Sequence, residues 1–339
     1  MLTIITAVIM FGVLITAHEL GHFVIAKASD IKVEEFSIGM GPAIFSRKKG
    51  ETLYSLRALP LGGYNKMAGM DPGDDMDDPR GFNKKSVFKR MAVLAAGSLM
   101  NFVLAAIFFA IVFMSIPADP TNENIVGNVL EGGVAAEAGL QTGDVIMAVN
   151  DTEINTWMEL VNIIHNKPNE ELVLTIQRGQ DIFKVNVIPE YDKELGIGLI
   201  GINPKYQKLG FFQAVWTGFA RTVSLTVMVL QAFVQMFTGK TPLEVAGPVG
   251  IVQIVGQAAE VGIINVLQLA GLISLQLGLI NLFPIPALDG SRIIFTGIEG
   301  LRGKPVDPDK ENFVHFIGFV FLMGLMLLLT YQDLVRMFS

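Results

Sequence analysis

The 339-residue chain contains no cysteine, which excludes disulfides, a thiol nucleophile and every thiolate metal site. Histidine is nearly as scarce, at four residues, so any metal must be held by those few imidazoles and by carboxylates. Charge is sparse as well: 17% of residues are charged against 51% hydrophobic. The apolar residues stand in long runs without amphipathic periodicity, which is a membrane composition. Residues 91–118, 262–288 and 313–332 contain no Asp, Glu, Lys or Arg, and each run is long enough to cross a hydrocarbon core of about 30 Å. A fourth run, 2–26, is interrupted by a single acid, Glu19. No Lys or Arg precedes it and no small-residue cleavage site follows, so it reads as a retained helix and not as a removable signal. The net charge of −7 adds little, and no nucleic acid is expected as a partner.

Twelve Lys and Arg lie between Lys27 and Arg90, and none precedes Lys27. The positive-inside rule then puts this connection in the cytosol and the N-terminus outside. Within it, 44–47 and 52–59 read as strands turned at Lys48-Lys49-Gly50-Glu51, with Leu61-Gly62-Gly63-Tyr64 breaking the second. The acidic run 71–78 reads as a solvated loop, and Lys84, Lys85, Lys89 and Arg90 as the cytosolic anchor of the next helix. The polar stretch 121–208 should therefore lie outside. Strands are expected at 125–130, 145–149, 172–177 and 182–188, a short helix at 134–138 closed by Gly139, and a helix to Ile164 started by the capping box Thr156/Glu159. That is a soluble α/β module. Its run from Gly133-Val134-Ala135-Ala136 to Gly143-Asp144-Val145-Ile146 resembles a bacterial PDZ domain, which implies a groove for an extended peptide or a peptide C-terminus.

His18-Glu19-Leu20-Gly21-His22 stands inside the first apolar run, with two imidazoles four residues apart and so on one helical face. Zinc suits such a pair: it takes neutral imidazole nitrogens and makes a water acidic, while a neighbouring carboxylate can accept the proton. Ionisable groups in a lipid-spanning helix are costly and default to function. A third ligand at the same depth must be Asp289, at the end of run 262–288, or His315, at the start of the last run; Asp119, Glu260 and Asp333 fall at outer ends.

Together with Asn281-Leu282-Phe283-Pro284-Ile285-Pro286-Ala287-Leu288-Asp289-Gly290, the histidine motif resembles the bacterial site-2 protease family, in its regulator of sigma-E protease branch. Gly39-Met40-Gly41-Pro42, Arg57-Ala58-Leu59-Pro60-Leu61-Gly62-Gly63-Tyr64, Phe82-Asn83-Lys84-Lys85-Ser86 and Gly247-Pro248-Val249-Gly250-Ile251 extend the likeness along the chain. The resemblance implies one Zn²⁺ per chain held by His18, His22 and Asp289, with Glu19 as general base and Asn281 holding the substrate backbone. Gln276 stands where the family usually has Asn, Ser98 where Pro often follows Gly97, and Ser291 where a second Gly often follows Gly290. Pro284 and Pro286 remove helical hydrogen bonds and leave backbone groups free for a bound peptide. The implied activity is peptide-bond hydrolysis within transmembrane segments of single-pass proteins, such as anti-sigma factors or signal-peptide remnants. A membrane re-entrant β-loop around 44–59 would pair with the unwound substrate, and the PDZ module would admit only substrates already stripped of their ectodomain. A membrane-anchored PDZ scaffold without proteolytic activity is the alternative reading.

The expected architecture is a polytopic α-helical protein of the bacterial inner membrane, in contact with the lipid bilayer. Transmembrane helices are expected at 1–28, 91–118, 261–289 and 313–333. Around them stand a membrane-associated β-hairpin in 29–90, an extracytoplasmic PDZ domain at 121–190, interfacial helices and a loop at 191–260, and a cytosolic loop at 290–312. Both termini lie outside and the active site near the cytosolic side. The stretch 211–237 is apolar enough to cross but carries Gln213, Arg221, Gln231 and Gln235. Since the helix ending in Asp289 must run in the same direction as the first, 211–237 is expected not to cross. It should lie along the outer interface or pack against the bundle, leaving Lys240 outside and Lys304 in the cytosol.

Overall fold

Runs of charge-free sequence become long helices, and the polar connections between them become sheets. The computed structural model describes residues 2–70, 77–117, 119–120, 123–193, 195–239, 246–304 and 306–338. In chain order the elements are α1 (Leu2–Ala28), β1 (Val33–Lys49), β2 (Thr52–Met67), α2 (Val87–Ser115), β3 (Asp119–Pro120), β4 (Val126–Val129), α3 (Val134–Glu137), β5 (Val145–Val149), β6 (Thr152–Glu153) and α4 (Trp157–His165). There follow β7 (Leu172–Arg178), β8 (Asp181–Val187), β9 (Glu190–Asp192), β10 (Ile197–Leu199), β11 (Ile202–Pro204), β12 (Tyr206–Gln207), α5 (Phe211–Phe237), α6 (Pro248–Val261), α7 (Ile263–Leu282), α8 (Asp289–Arg302) and α9 (Pro308–Phe338). They form two compact units, one of Met1–Val112 with Phe212–Ser339 and the other of Phe113–Phe211. Most of the acidic run 71–78, and Lys240, lie outside the described residues.

In the helical unit α2 is central. A Cβ on Gly21 of α1 would sit 2.3 Å from the Ala96 carbonyl oxygen, and one on Gly278 of α7 would sit 2.9 Å from that of Ser98, so both helices press on the α2 backbone. Asn101 and Ala105 of α2 are buried, as are Leu14 of α1 and Leu275 of α7. A second cluster joins Ala7, Met10 and Leu14 to Val255 of α6 and to Ala270 and Ile273 of α7. Four crossing helices are expected from the sequence; among the described residues five helices, α5 included, are long and apolar enough to cross a membrane.

The hairpin turns at Gly50, as its sequence suggests, but its strands run further. β2 does not break at Gly62; it bends there at φ +91 and continues to Met67. Glu35, Phe36, Ser37 and Ile38 each have two partners on β2: Lys66, Asn65, Tyr64 and Gly63 on one side, Leu53, Tyr54, Ser55 and Leu56 on the other. The two strands thus fold back into a small sheet edged by 43–49 and 63–67. Its root packs on the ends of α1 and α2 through Ala26, Ile31, Val33, Met67, Phe82, Val93 and Leu94, while Ile44, Phe45, Leu56 and Leu59 stay exposed. The cytosolic loop expected at 290–312 is largely helical. The α8 sequence repeats apolar residues at helical spacing and ends at Gly303 in the left-handed conformation that stops a helix.

The other unit is a four-stranded antiparallel sheet in the order β6-β5-β7-β8, flanked by the pairs β11-β4, β10-β9 and β12-β3. Val126, Ile146, Leu160, Leu172, Leu174 and Ile176 form its fully buried centre. The Thr156/Glu159 capping box is formed at the start of α4. The module extends beyond the expected boundary at 190, because β11 supplies the strand that pairs with β4. Asp144, 1% exposed, receives Arg178 Nε and Nη2 at 2.8 and 2.9 Å and the Gln141 backbone N–H at 2.8 Å.

Candidate metal centre

His18 and His22 lie one turn apart on the face of α1 that meets α2. The Nδ1 of His22 is 2.7 Å from the Val93 carbonyl oxygen, an atom that can only accept. The ring proton of neutral His22 is therefore on Nδ1, and its Nε2 lone pair is free. That Nε2 is 3.1 Å from His18 Nε2. Asp289, the first residue of α8, places Oδ2 3.2 Å from His18 Nε2 and 3.3 Å from His22 Nε2. Among the described residues this is the one group of three His, Asp or Glu side chains able to share an ion.

These atoms suit zinc on two counts. Ligands each about 2.0–2.1 Å from a tetrahedral ion stand about 3.3 Å apart, and the three separations here are 3.1, 3.2 and 3.3 Å. Asp289 Oδ2 is also buried with no hydrogen-bond partner, although it faces two ring nitrogens. His22 Nε2 and Asp289 Oδ2 are thus two lone-pair atoms facing each other, an arrangement that a cation held between them relieves. The residues fit the ion.

Room for the group comes from Gly97 of α2, where a Cβ would stand 2.3 Å from His22 Nε2 and 2.8 Å from His18 Cε1. Asp289 is delivered by the loop after α7. There Ala287 holds φ +76, and its N–H donates to His315 Nδ1 at 3.0 Å. The alternative third ligand, His315, thus supports this loop from α9 and is not part of the triad.

Glu19, half-buried beside the two histidines, faces the sheet. Asn65 Nδ2 donates to both the Glu19 carbonyl oxygen and its Oε2, each at 2.7 Å. A Cβ on Gly63 would lie 3.1 Å from Glu19 Cγ. The sheet edge beside Glu19 is therefore 63–67, whereas the sequence singles out the 44–59 segment. Asn281 is half-buried in the last turn of α7, Gln276 is exposed five residues earlier, Pro284 is exposed, and Pro286 packs against Gly318 of α9. Sequence reasoning missed Asn65, Gly97 and Asn101; the last is an uncharged polar residue inside a charge-free run, which is itself a signal.

The model of Peptidase family M50 matches residues 6–325 of this chain. The chain is 33% identical to the regulator of sigma-W protease RasP of Bacillus subtilis, with 99% of each chain covered. It is 34% identical to the zinc metalloprotease RasP of Oceanobacillus iheyensis, with all of both chains covered. Among solved structures, the PDZ domain of an SdrC-like protein from Listeria monocytogenes aligns at 21% identity over 26% of this chain and 92% of that one, with a TM-score of 0.23.

Proposed function

The chain belongs to Peptidase family M50, the site-2 proteases, and is a zinc metalloendopeptidase that cuts within membranes; from that premise we propose that His18, His22 and Asp289 hold one zinc ion and that Glu19 is the general base. The observation that carries the reading is the convergence of two imidazole Nε2 atoms and one carboxylate oxygen within 3.1–3.3 Å of one another. When bound, zinc supplies Lewis acidity, polarising a peptide carbonyl and lowering the pKa of water.

The chain's own groups do the rest. Asn65 steadies the Glu19 carboxylate, which accepts a proton from water and returns it to the leaving amine. A transmembrane substrate must unwind to expose a carbonyl, and its freed N–H and C=O groups need partners in lipid. The 63–67 edge supplies them beside Glu19, and the apolar side chains Ile44, Phe45, Leu56 and Leu59 suit a sheet that dips into the bilayer. Asn281, Gln276 and the proline-freed backbone around Pro284 and Pro286 would hold the opposite side of the substrate strand. We place the site near the cytosolic face of the inner membrane with both termini outside. Single-pass proteins such as anti-sigma factors or signal-peptide remnants are the substrates, and the 121–190 module acts as an outer filter or peptide-binding groove.

The test is the purified protein in lipid nanodiscs, assayed for bound zinc and for cleavage of a model transmembrane peptide. One zinc per chain and cleavage abolished in Glu19→Gln are expected. Metal-free protein that still cleaves would defeat the assignment, and metal-bound protein that never cleaves would favour the scaffold reading.

A further inference from the structure

Positions 93, 97 and 101 of α2 recur every four residues and share one helical face. That face meets the equally spaced His22 and His18 of the antiparallel α1. Val93 offers its carbonyl to His22 Nδ1, Gly97 leaves the space, and the Asn101 side-chain amide stands 3.3 Å from His18 Nδ1. Asn101 is 1% exposed, and its backbone carbonyl accepts Ser274 Oγ of α7 at 2.8 Å, so its helix turn is held from both sides. Its amide oxygen, however, is buried without a hydrogen-bond partner.

If His18 presents Nε2 to a metal, its ring proton must be on Nδ1, since a neutral imidazole carries one proton. The atom facing Nδ1 must then be an acceptor. Turning the Asn101 amide end over exchanges its nitrogen and oxygen at nearly unchanged shape. That turn removes a donor facing a donor and gives the orphaned oxygen its partner.

We propose that Asn101 is a positioning residue whose Oδ1 accepts the Nδ1 proton of His18, fixing the tautomer and ring orientation that present Nε2 to zinc. The histidine pair is then held symmetrically from α2, by a backbone carbonyl at His22 and by a side-chain carbonyl at His18. The inference rests on the reading of His18 as a zinc ligand.

Full-length protein in detergent, titrated with zinc against a chromophoric chelator, tests it through Asn101→Leu and Asn101→Asp, with His18→Ala as the control on the ligand itself. Asn101→Leu is expected to weaken zinc binding about 10- to 100-fold, the usual cost of losing such a partner. Asn101→Asp, which can only accept at this position, is expected to bind zinc at least as tightly as the wild type. A role in packing alone would reverse that order, because a buried carboxylate disturbs the helix contact more than leucine does. Zinc affinity unchanged in Asn101→Leu, or lost equally in both variants, would overturn the proposal. Should Asn101→Leu fail to fold, Asn101→Ser, whose hydroxyl is too short to reach the ring, takes its place. Normal zinc binding by His18→Ala would defeat the ligand assignment itself, a distinct failure.

Discussion

Asn65 Nδ2 donates at 2.7 Å to both the backbone carbonyl oxygen and the carboxylate Oε2 of Glu19. Two bonds from one amide fix where the carboxylate stands relative to the sheet edge on which a substrate strand would lie. Rotamer freedom in a general base moves it away from the proton it must take, and a displacement of about 1 Å can cost roughly 100-fold in rate. Asn65→Leu should therefore lower kcat by about 10- to 100-fold while zinc content and KM for a model transmembrane peptide stay near wild type. Zinc loss in this variant would show that Asn65 acts on the metal site instead.

Glu19 and the three proposed ligands should separate cleanly. Glu19→Gln keeps a carbonyl for Asn65 to bond but cannot take a proton, so proteolysis should fall by about two to four orders of magnitude with zinc retained. His18→Ala, His22→Ala and Asp289→Ala should lose the metal. His315→Ala should keep it, because His315 contacts the loop at Ala287 and not the converging atoms. Metal analysis beside peptide cleavage reads all five variants.

Gly97→Ala should empty the site without unfolding the bundle. Alanine ordinarily favours a helix over glycine by about 1 kcal/mol, yet here its methyl would occupy the position 2.3 Å from His22 Nε2. Thermal unfolding close to that of zinc-stripped wild type, with zinc content near zero, is the expected pair of results.

Local sequence signals suffice where the structure itself is local. The Thr156/Glu159 capping box, the helix stop at Gly139 and the i, i+4 histidines all depend on neighbours within four residues. The sequence makes β2 too short because Leu61-Gly62-Gly63 resembles a strand end, whereas Gly62 only bends a strand held by long-range pairing to β1. α8 keeps apolar residues at helical spacing, but Gly297, Gly300 and its flanking charges weaken the local helix signal, so its sequence reads as a loop. Asn65 and Asn101 act across 46 and 83 residues of sequence, and no spacing rule reaches that far. Asp289 was legible through its surrounding motif, not through depth alone, which left His315 equally placed.

Asp144 gives the soluble unit a pH dependence of known sign. Burial raises its pKa, but the hydrogen bonds from Arg178 and the Gln141 N–H, with the Arg178 charge, outweigh that and hold it below the usual carboxylate range. The folded unit therefore binds fewer protons than the unfolded one at acid pH. Its contribution is complete above the unfolded value of about 3.9 and is lost as pH falls through the lower folded value. Hydrogen exchange of β5 and β7 in the full chain should show protection that is flat from about pH 7 to 5 and declines below about pH 4. Asp144→Asn should reduce protection at neutral pH and flatten that decline.

The chain's lack of cysteine makes single-cysteine labelling a clean probe of its membrane topology. Gly271 of α7 meets Phe109 of α2 and Gly278 meets Ser98, so α7 runs antiparallel to α2; α1 does the same through Gly21 with Ala96 and His18 with Asn101. α1 and α7 are therefore parallel, and the chain between α2 and α7 must cross the membrane an even number of times. The sequence alone suggests zero, with 211–237 on the outer interface or against the bundle. In the structure a Cβ on Gly218 of α5 would lie 2.6 Å from the Ala106 carbonyl oxygen, while the ring of Phe233, fifteen residues on, stands 5.4 Å from that of Phe283 beyond the end of α7. Fifteen helical residues span about 22 Å, so α5 follows α7 lengthwise toward the depth of His18, His22 and Asp289. The start of α6 lies at the opposite end of the bundle, where the Gly247 and Gly250 N–H groups donate to Asp333, about 22 Å along α9 from the Gly318 contact with Pro286. An even count leaves Asp289 with the histidines. In intact cells an impermeant thiol reagent should label Lys193→Cys but neither Gly239→Cys nor Lys304→Cys, and permeabilisation should restore labelling at 304. Outside labelling at 239 alone would return α5 to the outer interface, whereas outside labelling at 304 would reverse α7 and move the metal centre to the outer face.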